Sequence, residues 1–182
     1  MLMAATQGPR VYATLNPADK NTNVILTNGN LTYQNSTTGQ IGVRATIGKT
    51  TGKWSWEVTV GGTQENDLGI ATSSYSLSTW LGNDANGAGY DQSDGKIYVS
   101  GTGSAFGATY TNGDVLRFEL DADAKTLHIF KNNTSQGTYT YSFTGAIYPA
   151  SGGFALNANG TFNFGATAFV NAPTSGYNVG VY

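Results

Sequence analysis

The stretch Gly52-Lys53-Trp54-Ser55-Trp56-Glu57-Val58-Thr59-Val60-Gly61-Gly62 sets Trp54, Trp56, Val58 and Val60 in alternation with Lys53, Ser55, Glu57 and Thr59, and glycines close both ends. A period of two, carried by aromatic and β-branched residues, is the pattern of a strand with one apolar face. Two indoles on one face cannot be kept from water by a single sheet, so a second sheet is required to cover them. Each buried aromatic is expected to contribute about 2 to 3 kcal/mol relative to exposure. The expectation is a sandwich centred on this strand, with both tryptophans sealed between its layers.

Outward from that strand, helical periodicity is almost missing and turn signals recur about every eight to twelve residues, the spacing of an all-β sandwich or barrel. Residues 10–15 read as a first strand ended by Asn16-Pro17. Residues 24–27 and 31–35 flank Asn28-Gly29, a type I′ hairpin signal because both central residues take positive φ. Ile41, Val43, Ala45 and Ile47 alternate with Gly42, Arg44 and Thr46 as a half-buried strand. Residues 67–72 form a short strand, and 75–95, with Trp80, Tyr90 and several glycines, read as one long irregular loop. Further strands are expected at 96–100, 115–121, 127–131, 138–143, 147–156 and 161–164. About a dozen strands make an all-β fold, a two-sheet antiparallel β-sandwich.

A length of 182 residues suits one domain. Nine Lys+Arg against eleven Asp+Glu, with charged residues at 11%, leave no basic surface for nucleic acid or for an anionic membrane. Cysteine is absent, which removes disulfides and thiolate metal sites. The first residues lack the basic start and apolar stretch of a secretory signal. No apolar run approaches the ~18 residues of a membrane span, so no membrane insertion is expected.

The order of short motifs resembles a SPRY domain with a PRY-like lead-in. Leu15-Asn16-Pro17 is similar to the family's opening Leu-Asp-Pro, Trp56-Glu57-Val58 to its central Trp-Glu-Val, and Leu120-Asp121 with residues 127–132 to its late Leu-Asp-Tyr-Glu. Ala122 and Asp123 replace the Tyr and Glu of that last signature. Leu68-Gly69-Ile70-Ala71, Leu81-Gly82, Gly89-Tyr90, Asp94-Gly95-Lys96-Ile97, Asn112-Gly113-Asp114, Tyr148-Pro149-Ala150 and Asn163-Phe164-Gly165 stand where the family has similar words. The resemblance covers residues 11–178 and implies a concanavalin-like jelly roll. The opening 14–20 with 28–31, and the closing 172–177, look most like SPRY units of tailed-bacteriophage structural proteins.

Catalytic and metal chemistry find little support. His128 is the sole histidine and lies on a strand, so any Ser-His nucleophile depends on it. Glu119, Asp121 and Asp123 resemble the paired carboxylates of sandwich-fold glycoside hydrolases. Glu119 and Asp123 would stand about 13 Å apart on an ideal strand, beyond the roughly 5 to 9.5 Å that such pairs need, and only Glu119 and Asp121 could approach the inverting distance. Asn83, Asp84, Asn86, Asp91 and Asp94 offer hard oxygens for Ca²⁺ but no EF-hand spacing. Gly101-Thr102-Gly103 lacks the Lys-Ser/Thr of a phosphate loop. The Asn-x-Ser/Thr words at Asn30, Asn35, Asn132 and Asn159 read as coincidence in a Thr-rich chain. No enzyme, cofactor or metal is expected.

Aromatics outside the regular strands are the remaining candidates, because flat amphipathic rings suit partners and sugars. Tyr75, Trp80, Tyr110 and Tyr139, with Gln64 in the loop after the tryptophan strand, are the expected binding residues. Tyr90 falls in a family word and reads as structural. The resemblance implies recognition by loops at 34–40, 63–67, 73–89, 102–109 and 132–137. Residues 1–9 are expected as an N-terminal arm, 10–178 as the domain and 179–182 as a C-terminal tail. The expected function is a non-enzymatic protein-binding module of a phage virion, assembled in the host cytoplasm, as a capsid decoration or accessory protein. Its partners would be the major capsid or a tail protein, or a host-surface glycan or protein. The alternative is a tail-fibre receptor-binding or carbohydrate-binding module, with weak glycoside hydrolysis as the remote enzyme option.

Overall fold

A computed structural model describes residues 9–62 and 65–182. Among them are fifteen strands and no α-helix: β1 Leu15–Lys20, β2 Val24–Thr27, β3 Thr32–Asn35, β4 Ile41–Ala45, β5 Lys53–Gly61, β6 Asn66–Ala71, β7 Gly87–Asp91, β8 Lys96–Val99, β9 Thr102–Ala105, β10 Val115–Asp121, β11 Thr126–Lys131, β12 Thr134–Thr140, β13 Tyr148–Gly153, β14 Asn159–Asn163 and β15 Asn178–Val179. The first sheet runs β1-β4-β13-β6-β7-β8-β9 and the second β12-β11-β10-β5-β14-β3-β2. Every pairing is antiparallel except β15, which joins β5 in parallel at Trp54 and Ser55.

The core lies between the sheets, as the tryptophan strand requires. Trp56 is fully buried and stacks on Phe118, centroids 5.3 Å apart. Val58, Leu116, Leu120, Leu127 and Ile129 extend that face, and Leu68, Ile70, Ala88, Tyr90 and Val43 meet it from the first sheet. Trp54 departs from expectation. It is only half-buried at the rim, where its Nε1 donates to the Thr51 carbonyl at 2.7 Å, Lys49 Nζ lies 3.6 Å from the ring centre and Tyr182 packs edge-on at 5.2 Å.

The outer face of the second sheet is covered over the middle of β5 and β10. Ser55, Glu57, Arg117 and Glu119, the polar alternates of β5 and β10, are all buried. The chain after β14 crosses them as a strap. Val170 and Asn171 donate their N–H groups to Glu57 Oε2 and Oε1 at 2.7 and 2.8 Å. Thr174 N–H donates to Glu119 Oε1 at 2.8 Å, and Arg117 Nη1 to the Ala172 carbonyl at 3.0 Å. Arg117 Nε closes the arrangement on Glu119 Oε1 at 3.0 Å. The strap ends in β15, Val181 is 1% exposed, and Tyr182 packs on Tyr12 and Trp54. Residues 179–182 are thus part of the sandwich and not the expected tail; most of the expected arm 1–9 lies outside the described residues.

The first sheet is covered by residues 72–86, which fold back onto it. Tyr75 and Leu81 form a second apolar cluster with Ala71 and Ala150. Gly42 and Gly152 admit them, since a Cβ on either would fall 2.5 and 2.7 Å from Tyr75 Oη. For that reason β4 is buried on both faces and not half-buried. The irregular stretch is also shorter than expected, because Gly87–Asp91 is β7. The first strand starts at Leu15, where 10–15 was expected to end, and Pro17 is accommodated on this edge strand. The hairpin of β2 and β3 closes at Thr27 and Thr32 around four residues, with Asn28, Gly29 and Asn30 all at positive φ.

Candidate functional site

The expected binding residues disperse. Tyr75 is 2% exposed and donates its hydroxyl to the Thr79 carbonyl, so it presents no face to a partner. Tyr110 is 3% exposed and its Oη donates to the carbonyls of Asn66 and Tyr90. Both are corrected to structural residues: an irregular stretch need not be an exposed one. Tyr139 lines an open groove of about 410 Å³ between the edge strands β9 and β12, beside Ile97, Val99 and Phe106. Gln64 lies outside the described residues. Trp80 stands on the wall of a different cleft.

That cleft is built on the outer face of the first sheet, where the 72–86 cover stops. Its volume is about 260 Å³ and it is lined by Glu65, Asp67, Trp80, Asp91, Ser93, Tyr98 and Phe154. Trp80 packs edge-to-face on Tyr98 at 5.2 Å and lies 6.4 Å from the ring of Phe154, which is 38% exposed. These rings make apolar walls. Asp67 and Asp91 are direct cross-strand partners of β6 and β7, so both carboxyls issue from one face.

The two acids are not equivalent. Asp91 Oδ1 accepts from Ser93 N–H, Ser93 Oγ and Asp94 N–H at 2.7, 2.6 and 2.9 Å. Asp67 is 3% exposed, and its Oδ1 has no hydrogen-bond partner. Burial holds the Asp67 carboxyl well above the usual carboxylate range, and the neighbouring charges of Asp91, Glu65 and Asp94 push it the same way. Glu65 itself takes a left-handed φ of 52° where the chain enters β6. The arrangement is an acidic floor under aromatic walls, suited to a ligand that is apolar along its length and positively charged at its tip.

The groups weighed for catalysis, Glu119, Asp121, Asp123 and His128, are engaged elsewhere. Glu119 is committed to Arg117 and Thr174, Asp121 accepts from Ala124 N–H at 2.9 Å, and Asp123 from Gly52 N–H at 3.0 Å. His128 Nε2 lies 2.7 Å from Ser135 Oγ, a pairing the sequence did not show. The acid opposite His128 in the ladder is that same engaged Glu119, so the pair has no carboxylate to orient it. Asp84 and Asp94 cap their own turns, and among the described residues no three acidic or imidazole groups are placed to hold a metal.

Asp67, Asp91, Glu65, Tyr98 and Phe154 were missed as a set because they are far apart in sequence. The available signal was Asp67, a charged residue in a strand otherwise made of Leu, Gly, Ile and Ala.

The family model of the SPRY domain matches residues 53–167, more than half of the chain and all of the cleft. The chain belongs to the SPRY family. A SPRY domain is a protein-binding module. Ran-binding protein 9 of Xenopus tropicalis is 32% identical over 108 residues, covering 57% of this chain and 19% of that protein, so the SPRY chain spans about a fifth of that relative. The SPRY domain of human HERC1 superposes with a TM-score of 0.72 at 16% identity, over 81% of this chain and 96% of that one. Stonustoxin does so with 0.65 at 20% identity, over 84% and 26%. These two likenesses establish the shared sandwich. β1–β4 and most of the strap lie outside the matched residues.

Proposed function

We propose that this SPRY domain is a non-enzymatic module that grips a partner protein at the acid–aromatic cleft, with the neighbouring loops adding contacts. The observation that carries the reading is Asp67: a carboxyl buried without a partner for Oδ1, at the base of a cleft walled by Trp80, Tyr98 and Phe154. Such a group costs free energy in the isolated domain and is relieved by a complementary ligand. The setting we propose is a phage virion, as a capsid decoration or accessory structural protein bound to the major capsid or a tail protein. Its support is the likeness of residues 14–20, 28–31 and 172–177 to phage SPRY units, and the low-charge composition.

Phe154→benzoylphenylalanine, photolysed in the native assembly, is expected to cross-link one protein, identified by mass spectrometry. The same probe at His128, on the other sheet, is expected to give none. Cross-links from His128 alone would refute the cleft reading, and absence of the chain from purified particles would refute the virion setting. The half-exposed indole of Trp80 beside carboxylates favours a second reading, a sugar-binding role on a tail fibre or the host surface. Glycan-array binding abolished by Trp80→Ala would select it.

A further inference from the structure

Resting on the reading of the cleft as the binding site, we infer that its ligand is a lysine or arginine side chain of the partner, with the alkyl stem against Trp80, Tyr98 and Phe154 and the cationic head at the paired carboxyls of Asp67 and Asp91. Three features converge on a cation of that shape. The first is the pairing of Asp67 with Asp91 across the ladder, which sets two carboxyls side by side on one face for a single cationic head. The second is the unpartnered Asp67 Oδ1, an acceptor 3% exposed on the lining of the cleft. The third is the ring pair Trp80 and Tyr98 with Phe154 beside it, whose faces and edges favour an alkylammonium or guanidinium over a small hydrated ion. A bound metal ion fits less well, since no three acidic or imidazole groups among the described residues converge on one point.

The other charged and titratable groups near Asp67 do not supply that cation. Asp94 pairs with Lys96 at 2.7 Å and accepts from Tyr98 Oη at 2.9 Å, so the Lys96 ammonium is already engaged. Arg44, on β4, is held by Asp19 through Nε and Nη2 at 2.8 and 2.7 Å and donates Nη1 to the Tyr75 carbonyl. On β13 the residue beside Asp67 is Gly152. Tyr33, Tyr75 and Tyr110 are buried, and Asp67 adds to the rise of their hydroxyl pKa values.

Burial and the neighbouring carboxyls favour the neutral form of Asp67, and a cation against it favours the ionised form, so binding below the Asp67 pKa releases a proton. Affinity therefore rises with pH up to the Asp67 pKa, by about tenfold per unit for one proton released, and levels off above it.

The test uses the full chain and small probes followed by NMR at the Trp80 indole N–H and the Asp67 carboxyl carbon. Butylammonium and butylguanidinium are expected to shift both signals saturably and to bind more tightly as pH rises. Pentan-1-ol, of similar shape without charge, is expected to bind at least tenfold more weakly. Asp67→Asn, checked for folding by circular dichroism, is expected to lower butylammonium affinity tenfold or more and to abolish the pH dependence; the wild-type titration needs no variant. Equal binding of pentan-1-ol, a pH-independent affinity, or response to Ca²⁺ with none to butylammonium would overturn the inference. A partner cross-linked at Phe154 with pH-independent affinity keeps the docking site and removes the cation. Butylammonium binding without any cross-linked partner keeps the cation site and removes the partner.

Discussion

Asp67 shows how one side chain can carry a cost that the fold does not need. Burial favours its neutral form, so its pKa in the fold lies above the unfolded value of about 3.9. The penalty for ionising it begins as pH rises through that unfolded value, grows up to the folded pKa and is constant above it. Asp67→Asn is accordingly expected to melt at a higher temperature than the wild type at about pH 7, with the difference closing towards about pH 3 in thermal scans. Trp56 is the opposite case. It is fully buried and stacked on Phe118, and Trp56→Ala is expected to cost about 3–5 kcal/mol in denaturant unfolding. The burial of Trp56 was legible in the alternation of its strand, because period two is a local property. The rim position of Trp54 was not, since the same alternation holds while the partners that place it, Lys49 and Tyr182, come from elsewhere. Tyr75 and Tyr110 misled for a related reason: nothing local tells a loop that leaves the surface from one that folds back on it.

Among the elements, the strap deserves the next measurement. It supplies three backbone N–H groups to Glu57 and Glu119, two carboxylates buried on a face that would otherwise be wet. Glu57→Gln leaves one of the two N–H groups with a neutral acceptor and the other facing an amide donor, and charge-assisted bonds of the kind lost contribute about 1.5–3 kcal/mol. Amide exchange at Val170 and Asn171 is expected to accelerate about tenfold or more while exchange in β10 is little changed. Arg117→Met leaves Glu119 buried without its counter-ion and is expected to destabilise the domain by about 3–5 kcal/mol in chemical denaturation. The strands β5 and β10 were legible, and so was the antiparallel sandwich. Burial of their polar faces was not, because the segment that covers them follows more than a hundred residues after β5 and carries no periodicity. The strand β7 was hidden by Gly87 and Gly89, residues of low strand propensity that are needed where the chain lies close against its neighbours.

At the scale of the molecule, the sandwich turns its two outer faces to different uses. The strap covers the middle of β5 and β10 on the second sheet, whereas the first is covered only as far as Trp80, and the cleft opens where that cover ends. The sandwich and the SPRY resemblance were readable from motif order along the chain. The cleft was not, because it joins β6, β7, β8, the 72–86 segment and the end of β13, which meet only once the sheet has formed. The account's central claim, that partners dock at this cleft, is tested most directly by selecting peptides from a random displayed library on the wild-type domain and measuring their affinity for variants. The account predicts that the selected peptides lose about tenfold or more in affinity for Trp80→Ala and Phe154→Ala and bind His128→Ala as they bind the wild type. Undiminished binding to Trp80→Ala and Phe154→Ala, with loss on His128→Ala, would contradict it.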